Sequence, residues 1–111
     1  MATLTAQEID RDGLNPSFAA CDAAGDEFAN LGVEFIHVKN GDVSAHTVTI
    51  ETSRTVDGLA VADRDVAIPA GEERLIGPFP KQTYDDADGK VQLTYDAVTS
   101  VTIAVIKVGD S

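Results

Sequence analysis

Apolar residues recur along this chain in short alternating runs rather than in helical stripes. His46 to Thr52 alternates cleanly, with Val48 and Ile50 on one face and Thr47, Thr49 and Glu51 on the other. Val91-Gln92-Leu93-Thr94-Tyr95 does the same, with Val91, Leu93 and Tyr95 pointing inward. Val33 to Lys39 and Val101 to Val108 are apolar on both faces. Leu4 to Ile9, Asp65 to Ile68 and Glu73 to Ile76 read as shorter strands, and Gly25 to Phe28 as an eighth. Asn40-Gly41, Asp57-Gly58, Pro69-Ala70-Gly71 and Asp88-Gly89 supply turns between them. Pro16 to Ala24 and Lys81 to Ala87 have room for one helical turn each, without a long apolar stripe. Gly77-Pro78-Phe79-Pro80 belongs at an edge or in a loop, because prolines cannot donate to a central ladder. The pattern predicts an all-β fold, a compact antiparallel β-sandwich. Residues 13–108 form its single domain, 1–12 an N-terminal arm or edge strand, and 109–111 a tail.

Facing follows from pairing. A hairpin around Gly41 to Ala45 would put Val33 and Phe35 on the core face with Val48 and Ile50, and turn Ile36 and Val38 away. On the last strand, Val101, Ile103 and Val105 take one face, and Ala104, Ile106 and Val108 the other. An antiparallel sandwich usually leaves one sheet face to water, so Ile36, Val38, Ala104 and Ile106 need a cover. The N-terminal segment, a crossing loop or a second subunit would each provide it.

Composition narrows the possible functions. The 111 residues include 12 Val, 7 Ile and 10 Thr, types that suit a pleated sheet. Eight Lys and Arg against 19 Asp and Glu leave a net charge of −11. No cationic surplus exists to displace phosphate counterions or to meet an anionic bilayer, so nucleic acid and membrane are not expected partners. Asp outnumbers Glu by 13 to 6, which places the charge in turns and on solvated loops. Such a surface keeps a protein soluble at high local concentration and suits a salty medium. Cys21 stands alone, so no internal disulfide is available. The first eight residues have no basic or apolar run of the signal-peptide kind, and no apolar stretch reaches membrane-spanning length.

Chemistry is sparse. His37 and His46 would face each other across the expected hairpin, but two ligands do not make a zinc site, and structural histidines are the simpler reading. Asp85-Asp86-Ala87-Asp88-Gly89 imitates part of a calcium loop, yet the position six residues beyond its glycine is Tyr95 where an EF-hand carries Glu. Cys21 sits among alanines with no histidine nearby, as a small buried hydrophobe would. There is no nucleophile elbow, and Gly13, Gly25 and Gly32 are too widely spaced for a phosphate loop. Glu72-Glu73, or Asp63 with Asp65, lack the aromatic cleft of a glycosidase, in a chain with no Trp, two Tyr and four Phe. No catalytic, cofactor-binding or metal-binding residues are assigned, and an enzyme is not expected.

Three blocks carry a likeness. They are Gly25-Asp26-Glu27-Phe28-Ala29-Asn30-Leu31-Gly32, Phe35-Ile36-His37-Val38-Lys39-Asn40-Gly41 and Thr47-Val48-Thr49-Ile50. Ile68-Pro69-Ala70-Gly71-Glu72, Leu75-Ile76-Gly77-Pro78-Phe79-Pro80, Val91 to Tyr95 and Val98 to Val105 follow in order. From Gly13 to about Lys107 the chain resembles small structural proteins of tailed bacteriophages, of the head decoration or capsid cement type. The resemblance implies a compact β-sandwich of jelly-roll-like type, present in many copies on a capsid and often trimeric. It implies no catalytic residues, the major capsid protein as partner, and the capsid exterior of the virion as location. The contact residues expected on this reading are Thr3, Leu4, Thr5 and Ile9 in the arm, Pro78 and Phe79 in the proline loop, and Ile36, Val38, Ala104 and Ile106 at a subunit contact. The alternatives are a tail or neck component and a stand-alone sandwich that binds a glycan.

Overall fold

In the computed structural model of the chain, residues 2–9, 11–52, 55–56, 58–60 and 62–108 are described. The expected tail at 109–111 and Asp57 of the Asp57-Gly58 turn lie outside them. Among the described residues twelve strands occur in order: β1 (Ala2–Leu4), β2 (Gln7–Ile9), β3 (Ala19–Ala20), β4 (Asp26–Ala29), β5 (Glu34–Asn40) and β6 (His46–Ile50). Then come β7 (Thr55–Val56), β8 (Leu59–Ala60), β9 (Arg64–Ile68), β10 (Glu73–Ile76), β11 (Lys90–Tyr95) and β12 (Val101–Val108). A single helical turn, α1 (Lys81–Tyr84), falls within the expected Lys81 to Ala87, whereas Pro16 to Ala24 yields β3 instead.

The fold is all-β, with two mixed sheets packed together. The first sheet runs β1-β4-β11-β6-β9 and the second β10-β5-β12-β2, with β3 also on β12; β7 and β8 form a separate small hairpin. Most pairs are antiparallel, but β1 on β4 and β2 on β12 are parallel. The arm expected as one strand, Leu4 to Ile9, is thus divided between both sheets.

β5 and β6 do not pair. β5 lies between β10 and β12, while β6 lies between β11 and β9, so the Gly41 to Ala45 connection crosses from one sheet to the other. This overturns the expected hairpin and, with it, the parity of β5. Glu34, Ile36, Val38 and Asn40 face the core, and Phe35, His37 and Lys39 face outward. Ile36 and Val38 are fully buried within the chain, so they are not subunit-contact residues. The facing of Val48, Ile50, Val91 and Leu93 is as the alternation predicts.

The core joins Phe28, Ile36, Val38, Val48, Ile50 and Ile68 to Val91, Leu93, Val101, Ile103 and Val105. Phe79 belongs to it as well, its ring 5.8 Å from Phe28 and 5.4 Å from Tyr84. At 2% exposure Phe79 is core packing rather than a coat contact. The proline loop must pass close to β5 to deliver this ring. A Cβ on Gly77, at φ 145°, would stand 2.7 Å from the Cβ of Phe35, so only glycine fits there.

Polar side chains hold the corners where the chain changes sheet. Asn40 donates from Nδ2 to the carbonyls of Ser44 at 2.9 Å and Ile68 at 3.0 Å, and its Oδ1 accepts the Asp42 amide at 3.0 Å. Asn30 donates to the Phe79 carbonyl at 2.8 Å and to Asp85 at 2.6 Å, and accepts the Gly32 amide at 2.9 Å. Glu34, buried at the start of β5, accepts the amides of Leu31 at 2.8 Å and Val33 at 3.2 Å. Buried amide and carboxyl groups are tolerated because these bonds satisfy them.

The inverted parity has a direct consequence. Val38→Lys would bury an ammonium without a counter-ion, at a cost of about 3–5 kcal/mol, much of the stability of a small domain. Urea denaturation followed by circular dichroism should show a monomer that is largely unfolded or far less stable. Wild-type stability in this variant would return Val38 to the surface.

Candidate interaction surface

The outward face of the second sheet divides into a covered half and a bare half. Phe18 makes the cover. Its neighbour Ala19 pairs with Ile103 on one side of β12. Its ring nevertheless reaches β5 on the other side, 5.0 Å edge-on from His37 and 4.1 Å below the Lys39 ammonium. To do so it passes over Ala104, the residue of β12 opposite His37. Gln7, paired with Ile106, clamps the same segment by donating to the Ser17 carbonyl at 2.8 Å and accepting the Ser17 amide at 2.9 Å. Ala104 and Ile106 are consequently buried by their own chain's N-terminal segment, and neither is left for a subunit contact.

Beyond Phe18 the cover stops. Phe35, Leu75 and Val108 share the outward side there, next to Val33. With Gly32, Ile76, Gly77 and Pro78 they line an open depression of about 480 Å³, and none of the eight is charged. Val33 is 47% exposed, Val108 61% and Leu75 66%, in a chain with 24% charged residues. Contiguity separates this patch from exposed apolar side chains such as Val43 and Leu59, which lie in connections or the small hairpin.

The residues expected to make contacts are therefore dispersed. Pro78 alone lies at the patch. Thr3 is exposed and donates to Glu27 at 3.0 Å, Leu4 packs on the core from β1, Thr5 is exposed between the two arm strands, and Ile9 is 37% exposed on β2. Val33, Phe35 and Leu75 were not expected here. For Val33 and Phe35 the signal was the two-faced apolar run Val33 to Lys39, read with the wrong face inward; Leu75 joins them through the pairing of β10 with β5.

Elsewhere the polar groups serve local structure. His37 and His46 sit on different sheets: His37 bonds Glu73 at 2.9 Å, and His46 bonds Asp42 at 2.8 Å through Nε2. The Nδ1 of His46 lies 3.5 Å from Asp96. Among the described residues no group of three or more His, Cys, Asp or Glu is placed to hold a metal ion. Burial pushes the Cys21 thiol up to about 11, with the Asp26 charge adding to the shift, so the thiolate is scarce at neutral pH. Burial also raises Tyr95, whose hydroxyl donates to Asp26 at 2.6 Å. The Asp86 turn accepts the amides of Asp88 at 2.8 Å and Lys90 at 3.0 Å.

Compared with protein-family models, curated proteins and solved structures, the chain finds no match.

Three carboxylates link this surface chemistry to acidity. Hydrogen bonds from Gln92, Lys90 and Thr3 hold Glu27 below its ordinary 4.5. His46 and the Val43 amide hold Asp42 below 3.8, and the Lys90 amide, Gln92 and the Asp88 amide do the same for Asp86. In acid the unfolded chain takes up these protons first, so stability is full above 4.5 and falls as pH drops through the lowered folded values. Urea midpoints measured across that range should show the decline, and Asp86→Asn should make it shallower. A midpoint independent of pH would remove these bonds from the account of stability.

Proposed function

We propose that this protein is a virion structural protein that decorates a capsid and stabilises the head by binding between coat subunits as a homo-oligomer. The observation that carries an assembly role is the bare apolar strip of Val33, Phe35, Leu75 and Val108 on an otherwise strongly acidic molecule. Charge keeps copies apart and in solution at high concentration, while one uncharged strip gives them a place to meet. The resemblance of residues 13–107 to phage head decoration proteins supplies the setting, and with it the trimer.

Such a protein acts by mass action. It binds the assembled coat and not its separated subunits, and so favours the assembled form. Repetition around a symmetry axis multiplies a modest single contact into avidity. Phe35, Leu75 and Val108 of the strip lie on paired strands of the second sheet, so little ordering cost accompanies contact. No step of this activity requires a catalytic group.

Two measurements test the proposal. Light scattering should find a multiple of 11.7 kDa for the wild type and a folded monomer for Leu75→Lys or Val108→Lys. An oligomer that survives both substitutions would remove the strip from the contact. Quantitative mass spectrometry of purified particles should find the chain in hundreds of copies relative to the major coat protein. A handful would move it to the tail or neck, and absence would overturn the virion role.

A further inference from the structure

Asn40 is the asparagine of this chain whose side chain its own backbone can attack with least hindrance. The sequence has three asparagines, in Asn15-Pro16, Asn30-Leu31 and Asn40-Gly41. Loss of a side-chain amide begins when the next peptide nitrogen gives up its proton and attacks Cγ. Pro16 has no N–H to give up. Leu31 sets a branched side chain beside the attacking nitrogen, whereas Gly41 sets none there and leaves the backbone free to bend.

The folded corner withholds this reaction. Asn40 is 2% exposed. Its attacker is occupied, because the Gly41 amide donates to the Ser100 carbonyl at 2.8 Å, and a Cβ on Gly41 would stand 3.2 Å from that oxygen. The nitrogen that would leave is occupied too. Asn40 Nδ2 donates to the carbonyls of Ser44 at 2.9 Å and Ile68 at 3.0 Å, with that of Pro69 at 3.4 Å. Oδ1 accepts the Asp42 amide at 3.0 Å, and the Asn40 main-chain amide donates to Glu72 at 2.9 Å. Bringing Cγ onto the Gly41 nitrogen means breaking these bonds together, so the corner has to open first.

We propose that Asn40-Gly41 is a deamidation site gated by opening of the β5–β6 corner, and that reaction there withdraws the opened chain permanently from the folded population. In the opened chain the Gly41 nitrogen loses its proton to hydroxide and bonds to Asn40 Cγ. The bond from Cγ to Nδ2 breaks, and ammonia leaves with a proton taken from water. Water then adds to either carbonyl of the succinimide ring, breaks one of its C–N bonds, and leaves aspartate or isoaspartate. Neither product fits the corner. A carboxylate at position 40 would turn acceptor oxygens towards the buried carbonyls of Ser44 and Ile68, with no proton between them. Isoaspartate also adds a methylene to the main chain at the end of β5, where Asn40 is paired with Val101. The inference is independent of the virion role, because it rests on the corner alone.

The full chain is held at mildly alkaline pH, folded and in strong urea, then digested in mild acid and read by mass spectrometry. Asn40 should convert in urea and at least about a hundredfold more slowly in the folded chain, whose corner is open for only a small fraction of the time. Asn30 should stay intact in urea while Asn40 converts. Equal rates with and without urea would remove the gate, and conversion of Asn30 as fast as Asn40 would remove the role of Gly41. A sample partly converted in urea, refolded by dilution and treated briefly with protease should leave protected chains that retain Asn40, with both products in the digested fraction. Products found in protected chains at their share of the mixture would overturn the permanent withdrawal. Asn40→Asp, made directly, should be largely unfolded by circular dichroism where the wild type is folded, and a stable variant would overturn that withdrawal as well.

Discussion

The sandwich depends on buried polar side chains at the corners where its chain changes sheet. β4 leads to β5, and β5 to β6, by crossing from one sheet to the other, and each crossing strips main-chain groups from water without giving them a ladder partner. Asn30 and Asn40 resolve this, because one amide side chain offers both donors and an acceptor. Asn40 ties the β5–β6 connection to the end of β9, and Asn30 ties the β4–β5 connection to the Phe79 segment and α1. The neighbouring apolar layers can then meet at fixed registers. Loss of either amide would leave several buried groups unpaired at once, a larger effect than loss of one surface bond.

Much of the fold was legible in local pattern, because a strand with one buried face repeats every two residues. β6, β9, β10, β11 and β12 fall where alternation and turn residues put them. The partner of β5 was not legible. Asn40-Gly41 has the composition of a tight hairpin turn, and the same two residues serve a sheet-crossing corner in which the asparagine is buried and fully bonded. Local propensity reports that the chain bends and not which sheet it enters next. Since β5 is apolar on both faces, the wrong partner carried the wrong parity with it.

That inversion also explains what could be seen of the bare apolar strip. An excess of apolar residues on β5 and β12 was evident from sequence, as was the need for a cover. Phe18 and Gln7 provide half of it through contacts ten or more residues apart, which no periodicity encodes. The remaining uncovered positions, Phe35 and Leu75, are brought together by the pairing of β5 with β10. Charge had the opposite legibility: the acidic surplus was plain from counting, but the approach of Arg64 on β9 to Arg74 on β10, in different sheets, is a product of topology.

The placement of β12 and of the two arm strands has a consequence for the nascent chain on the ribosome. β12 is the inner strand that joins β5 to β2 in the second sheet, and it spans the last described residues. β2 has no strand to lie on until β12 has been made, so Gln7–Ile9 wait for residues 106–108 before they find their place. A chain that lacks β12 lacks the inner strand of its second sheet, although all five strands of the first sheet are already present. Until β12 arrives, the apolar residues of β5 that it covers stay open to proteases.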